Sequence, residues 1–283
     1  MHLLKEALAP APAPAPAPAP LCHWHTARVK QLKWPMCLHD PLIDGRISLS
    51  IMRTGCWECS TVQDMLALLK SYHNSTLIDI GANIGYFSLA AAASGATQHV
   101  HAFEASPKNS VLFQESVIRS ALGKAITLHA VALGAAPGMV RIGASRRNQG
   151  GLHHVEAPGG TQVARVTLDS VLRPVNGPVF VKMDVEGAEC AVVRGMSNFL
   201  RGSVHIIGFV VEVSQSRSCC DEWCSGGGLF GQLHARSLCP WSGGSNSRPK
   251  REPLRLSNCR RWCGGGAEVT GDVVWMPCFV HAA

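Results

Sequence analysis

The segment Leu77-Ile78-Asp79-Ile80-Gly81-Ala82-Asn83-Ile84-Gly85-Tyr86-Phe87 constrains this chain more than any other. An apolar run ends in an acidic residue, turns through glycines and opens an amphipathic helix. That order builds a nucleotide-type pocket at the carboxyl end of the first strand of a parallel sheet. A second apolar run, Val100-His101-Ala102-Phe103, ends in Glu104. Its lag from the glycine turn suits a carboxylate that grips a ribose diol. The two features together predict a bound adenosine cofactor.

The glycine spacing narrows the cofactor. Gly81 and Gly85 allow a tight turn and a close approach of backbone to ligand. Asn83 stands where a dinucleotide turn places its middle glycine, the residue that lets a pyrophosphate settle on the helix N-terminus. A cofactor without a pyrophosphate fits better, and S-adenosyl-L-methionine is one. Asp79 can accept a hydrogen bond from an ammonium or from the turn itself. Glu104 can take both ribose hydroxyls in a bidentate way. An ordinary βα turn and a helix cap are the competing explanations, and Ser106 is the better cap for the helix that follows. The rivals for function are a Rossmann-type NAD(P)-dependent oxidoreductase and a non-catalytic binding protein with a Cys-rich, zinc-binding tail.

Around this turn the pattern alternates. Strands are expected at Leu77–Ile80, His99–Glu104, Ile126–Ala132, Val179–Val185 and Ile206–Val213, with helices near Tyr86–Ser94, Ser110–Leu122 and Ala188–Leu200. Such alternation gives an α/β fold with a mostly parallel sheet covered on both faces. Upstream, Ile47–Ile51 alternates like a half-buried strand, and Thr61–Tyr72 carries a helical stripe at Val62, Met65, Leu66, Leu68 and Leu69. Residues 137–170 interrupt the alternation with short β-like pieces, Met139–Ile142 and Gln162–Leu168, around a Gly/His/Asn-rich loop at 148–154. An insertion there suits a substrate loop over the strand ends. A last helix near Leu229–Arg236 and a last strand at Asp272–Met276 are expected in the tail.

Three parts follow: a disordered Ala/Pro-rich leader at 1–22, a core at 45–214, and a divergent part at 215–283 that completes the sheet with an irregular insertion at 240–266. Alternating Ala and Pro at 9–20 makes an extended spacer, and Met1–Leu8 lacks the apolar core of a secretory signal. A transit peptide stays open, with a cytoplasmic location as the default. No run is long and apolar enough to span a bilayer. The formal charge of +7 gathers in the flanks (Arg28, Lys30, Lys33; Arg248, Lys250, Arg251, Arg255, Arg260, Arg261), which reads as solvated basic arms and no specific nucleic-acid site. Of the 12 cysteines, Cys56 and Cys59 form a lone C-x-x-C, while Cys219, Cys220, Cys224, Cys239, Cys259 and Cys263 are irregularly spaced. Zinc sites show paired spacings, so free thiols are the expectation and no metal is assigned.

The third motif is Val181-Lys182-Met183-Asp184-Val185-Glu186-Gly187-Ala188-Glu189. Three carboxylates cluster where a parallel strand ends and a helix begins, the crevice in which ligands of such sheets sit. The helix dipole alone favours acids there, which explains the glutamates better than Asp184.

Leu77–Phe87, Ala102–Pro107 and Val181–Glu189 together resemble the FkbM family of S-adenosylmethionine-dependent methyltransferases. Val166–Leu172 resembles the family's segment before the fourth strand, and the likeness extends over about residues 48–214. Ala105 departs from it, because the family often has proline directly after the glutamate. The resemblance implies a Rossmann-like, class I methyltransferase fold and transfer of a methyl group to a hydroxyl of a sugar-like, lipid-linked or other small acceptor. It also implies cofactor contacts at Asp79, Gly81, Asn83, Gly85, Tyr86, Glu104, Ala105 and Asp184. Asp184 is then the base or a cofactor-side carboxylate, with Glu186 and Glu189 binding acceptor hydroxyls or orienting the loop. His153 and His154 are alternative bases. The expected partner is a small-molecule or glycan acceptor; the oligomeric state is not read.

Overall fold

The computed structural model describes residues 22–144, 152–153, 160–172, 175–212, 229, 232–233, 238–242 and 272–277. The leader at 1–21, His154, the cysteines between 219 and 224 and at 259 and 263, and most of 240–266 lie outside the described residues.

The described part of the chain opens with a hairpin that the sequence did not announce. Strands β1 (His23–Val29) and β2 (Leu32–Leu38) pair antiparallel around a two-residue turn at Lys30, whose φ is +53°. No Asn-Gly or Asp-Gly marks that turn, and Pro35 sits inside β2, so both usual strand signals are missing. The register sets Trp24 opposite Cys37, which brings Cys22 alongside, and Cys22 and Cys37 form a disulfide. A second disulfide joins Cys56 and Cys59. These four cysteines are therefore not free thiols, contrary to expectation: their Cα separations of 4.9 and 5.8 Å lie within bonding reach.

The expected strand at Ile47–Ile51 is instead helix α1 (Ile47–Thr54). The Asp44 carboxylate accepts from the backbone N–H of Arg46, Ile47 and Ser48 at 3.1, 3.0 and 2.8 Å, which satisfies the open donors of a first helical turn. Gly55, in left-handed conformation at φ +77°, closes it. Five residues of alternation are too few to separate the two periods; the fully buried positions, Ser48 and Ile51, are three apart. Helix α2 (Cys59–Ser71) buries the expected stripe.

Strands β3 (Thr76–Ile80), β4 (His99–Phe103) and β5 (Ile126–His129) alternate with α3 (Tyr86–Ala93) and α4 (Pro107–Arg119). Ser106 caps α4, its hydroxyl accepting from Asn109 N. Next come β6 (Ala132–Leu133), β7 (Gly138–Ala144), β8 (Leu152–His153) and β9 (Thr161–Val166), which form a small separate sheet in the order β6-β9-β7-β8. After the short α5 (Leu168–Val171) and β10 (Pro178–Met183), the helix expected at Ala188–Leu200 is two: α6 (Glu189–Gly195) and α7 (Ser197–Arg201). Gly195 packs so closely on the Gly134 carbonyl that a Cβ there would lie 2.0 Å from its oxygen. Asp169 caps α7 by accepting from Asn198 and Phe199 N–H. Strand β11 (His205–Glu212) follows, then β12 (Leu238–Ser242) and β13 (Asp272–Pro277).

The main sheet runs β12-β13-β11-β10-β3-β4-β5. The neighbours from β11 to β5 pair in parallel, while β13 is antiparallel to both β11 and β12. Its strands alternate faces, so Leu77, Val100, Ala102, Phe180 and Val210 pack toward the hairpin and α2–α4. Ile78, Ile80, Phe103, Val181, Phe209 and Val211 pack toward α5–α7, Leu229 and Leu233. Parallel pairing brings the carboxyl ends of β3, β4, β10 and β11 to one edge, where the acidic motifs lie. Among the described residues no helix is long and apolar enough to cross a membrane.

Candidate functional site

Lys182 is the centre of the site, and it lies directly opposite Asp79 in the β10–β3 ladder. Its ammonium stands 3.7 Å from Asp79 Oδ1 and 3.6 Å from Asp184 Oδ2, and donates to the Gly81 carbonyl at 2.7 Å. The Phe87 ring lies 5.5 Å below it. Burying an ammonium costs several kcal/mol, and one carboxylate near 4 Å returns on the order of 4 kcal/mol in a half-screened setting, so a second partner decides the balance. Burial alone would push the Lys182 ammonium down. The charges of Asp184, Asp79, Glu58 and Glu212 outweigh it and hold the group above the ordinary lysine range.

Asp79 is fully buried and works inward. Its Oδ2 accepts from Ser88 Oγ on α3 at 2.6 Å, while Oδ1 is sequestered from solvent and, among the described residues, makes no hydrogen bond and faces the Lys182 charge. The predicted ammonium partner thus exists within the chain. Asp79, through Ser88 and Lys182, ties strand, turn and helix together.

Glu104, at the end of β4, is held differently. Oε2 accepts from Asn83 N–H at 2.8 Å, and Oε1 accepts from Ser106 N–H at 2.8 Å and Asn109 Nδ2 at 3.2 Å. Burial pushes its carboxyl up, and those hydrogen bonds with the Lys182 charge only partly offset this. Among the described residues Oε2 has one donor and Oε1 two, so the expected bidentate grip on a ribose would require Asn109 to yield.

The turn between them is fixed by both. Gly81 N and Ala82 N donate to the Phe103 carbonyl, each at 2.9 Å. At Gly81, φ is +76° and a Cβ would lie 1.7 Å from Asp184 O. At Gly85, φ is +84° and a Cβ would meet the Phe113 ring at 2.2 Å. Both close approaches are to protein. Asn83 tolerates φ +54°, its Oδ1 accepting from Ile84 N at 2.8 Å.

The remaining expected site residues separate. Asp184 is half-buried, its side chain 32% exposed, beside both Lys182 and Gly81. Glu186 is half-buried with a left-handed φ of +49°. Glu189 is buried and turns into its own loop, Oε1 accepting from Gly187 N–H at 2.8 Å, which braces that loop. Ala105 packs on the small sheet's core. The Tyr86 phenol lies in the core. It donates to Arg28 O at 2.9 Å, its ring lies tilted against Trp34 with centroids 5.3 Å apart, and burial pushes it up to about 12. The side chains of His153 and His154 lie outside the described residues. Among the described residues, no group of three His, Cys, Asp or Glu is placed to hold a metal ion.

Sequence reasoning missed Lys182 as a site residue, together with Ser88 and Asn109. A lysine inside an apolar strand run was the available signal for the first. The other two are small polar residues whose partners lie 9 and 5 positions away, with no spacing that marks them. An excess of carboxylates over one ammonium fits a cationic ligand, and S-adenosylmethionine carries a sulfonium and an ammonium.

The Methyltransferase FkbM domain matches residues 79–225, from the motif aspartate through β11 and beyond. No curated protein sequence matches the chain. Among solved structures, a methyltransferase FkbM from Methylobacillus flagellatus KT is 16% identical, with TM-score 0.43, covering 71% of this chain and 44% of that one. The chain thus spans less than half the length of that protein. A SAM-dependent methyltransferase from Agrobacterium tumefaciens is 10% identical, with TM-score 0.44, covering 90% and 70%. A SAM-dependent O-methyltransferase from Thermotoga maritima is 10% identical, with TM-score 0.41, covering 81% and 69%. With the domain match spanning more than half the sequence, the dinucleotide alternative loses its support, and the chain belongs to the FkbM family of S-adenosylmethionine-dependent methyltransferases.

Proposed function

We propose that this chain methylates a hydroxyl oxygen of a sugar-like or other small acceptor, with Asp184 as the carboxylate beside the reacting atoms. S-adenosylmethionine, when bound, supplies a methyl group already activated by positive sulfur. What is left to the protein is to align the acceptor oxygen and to receive its proton.

The observation that carries this reading is the position of Asp184. One side of its carboxylate is anchored 3.6 Å from the buried Lys182, and the side chain is still 32% exposed at the open edge of the sheet. Lys182 sets its orientation while part of the side chain stays accessible to an acceptor. Glu104 Oε2 holds the cofactor's ribose end, and the Gly81–Gly85 turn, stiffened by Asp79 and Lys182, shapes the opposite wall. Glu186, also half-buried, binds acceptor hydroxyls, while Glu189 keeps the loop in place.

The test uses labelled methyl donor and a panel of sugars, glycolipid headgroups and small polyols. Asp184→Asn should lower kcat by about 100-fold or more and leave donor affinity within about threefold. Transfer to amines or thiols in place of hydroxyls, or an unchanged kcat in Asp184→Asn, would contradict the proposal.

A further inference from the structure

The matched family domain begins at residue 79, yet a buried polar chain enters the site from the segment before it. His39, just after β2, places Nε2 2.7 Å from Asn109 Oδ1. Asn109 Nδ2 donates to Glu104 Oε1 at 3.2 Å. All three side chains belong to buried residues, with His39 9%, Asn109 2% and Glu104 5% exposed. His39 is itself tied down, its backbone N–H donating to Ser48 Oγ and the Ser48 N–H donating to the buried Asp44.

We infer that His39 is a positioning residue for the cofactor's ribose, acting through Asn109 on Glu104. This rests on the reading that Glu104 Oε2 receives a ribose hydroxyl. The donor arithmetic fixes the direction of the chain. An ionised carboxylate only accepts, so Asn109 must present its NH2 to Glu104 and its carbonyl oxygen to His39. That oxygen only accepts, so His39 must carry its proton on Nε2. With His39 in this tautomer the Asn109 amide has one favourable orientation. Flipping it would set oxygen against oxygen at Glu104 and NH2 against N–H at His39. Glu104 is then fixed on one side by Asn109 and Ser106 and on the other by Asn83, which leaves the free lone pair of Oε2 in a single direction. The hairpin and α1 thereby become part of the cofactor site, although neither carries a recognisable cofactor motif.

The experiment compares the affinities of S-adenosylhomocysteine and its 2′-deoxyribose analogue by calorimetry, on the full chain and on variants. The wild type should prefer the ribose form by about tenfold, the worth of one hydrogen bond to a charged group. Glu104→Gln should abolish that preference. His39→Leu should weaken the ribose ligand by about tenfold and the deoxy ligand by less than about threefold, collapsing the ratio. His39→Gln, whose amide can still donate to Asn109, should restore it. If His39→Leu does not fold, Asn109→Ala gives the same ratio test from α4. A wild-type preference that survives both His39→Leu and Asn109→Ala overturns the positioning role while leaving the ribose reading intact. Equal losses for the two ligands also overturn it, as the mark of a merely structural contact. No preference in the wild type defeats the ribose reading itself.

Discussion

Asp79 and Glu104 are two buried carboxylates at the tips of adjacent strands, and the chain compensates them by opposite means. Asp79 has one hydroxyl donor and a buried ammonium 3.7 Å away. Glu104 has three neutral N–H donors, with the Lys182 charge only as a minor, more distant influence. A charge partner fixes the energy of a carboxylate but tolerates movement, because Coulomb attraction falls slowly with distance. Directed N–H donors fix its orientation. On the proposed reading the Asp79 side holds the turn by charge, and the Glu104 side presents an oriented acceptor to a ligand. That reading separates stability from recognition between the two carboxylates.

That separation breaks most visibly at Lys182. Lys182→Met leaves Asp79 buried without its counter-charge and should cost about 3 to 5 kcal/mol in denaturant unfolding. A loss under about 1 kcal/mol would mean that the ion cluster does not hold the turn. Gly81→Ala strikes the seam between the halves. Its Cβ would collide with the Asp184 carbonyl at a φ of +76°, so stability should fall by about 2 kcal/mol or more and donor binding should be lost with it.

Glu104→Gln sharpens the other half. Donor affinity should fall at least about tenfold, and stability should fall by about 1 to 3 kcal/mol, less than for Lys182→Met, because the new NH2 faces an N–H from which Glu104 accepts. The pH response has two opposing signs. Burial raises the Glu104 pKa above its ordinary 4.5, so on acidification the folded chain takes up this proton before an unfolded chain does. Glu104's contribution to stability is therefore fully present below pH 4.5 and is lost as pH rises through the raised value. Donor affinity moves oppositely, declining as pH falls through that same window, because the protonated oxygen no longer accepts a ribose hydroxyl. Calorimetric titrations across this range should show the decline in wild type and its absence in Glu104→Gln.

The parts legible in sequence were those written in local order. The turn at Gly81–Gly85, the strand-end acids and the βαβ alternation all repeat at spacings set by one strand or one helix, and the parallel sheet follows from them. Ile47–Ile51 misled because the decisive residue was Asp44, a cap lying outside the five alternating positions. The hairpin escaped because Lys30 takes a left-handed φ that glycine or asparagine usually supplies. Within the candidate site, Asp79, Glu104 and Asp184 stand out in the sequence by type and position, and the parallel strands carry them to one edge. Lys182 was visible only as an oddity in an apolar strand, since its meaning depends on β3 and β10 lying side by side across 101 residues to Gly81. His39 reaches Asn109 across 70 residues and belongs to no motif. Tyr86 and Glu189 stood in the right places, but which way a side chain turns is decided by packing, and both turned inward.

The central claim is that one adenosyl sulfonium molecule sits between the Glu104 carboxylate and the turn held by Asp79 and Lys182. A crystal structure with S-adenosylhomocysteine tests it directly. The account predicts a ribose hydroxyl within hydrogen-bond distance of Glu104 Oε2 and the amino-acid end of the ligand beside the Gly81 turn. A ligand bound with its ribose away from Glu104, or outside the edge formed by β3, β4 and β10, would contradict it.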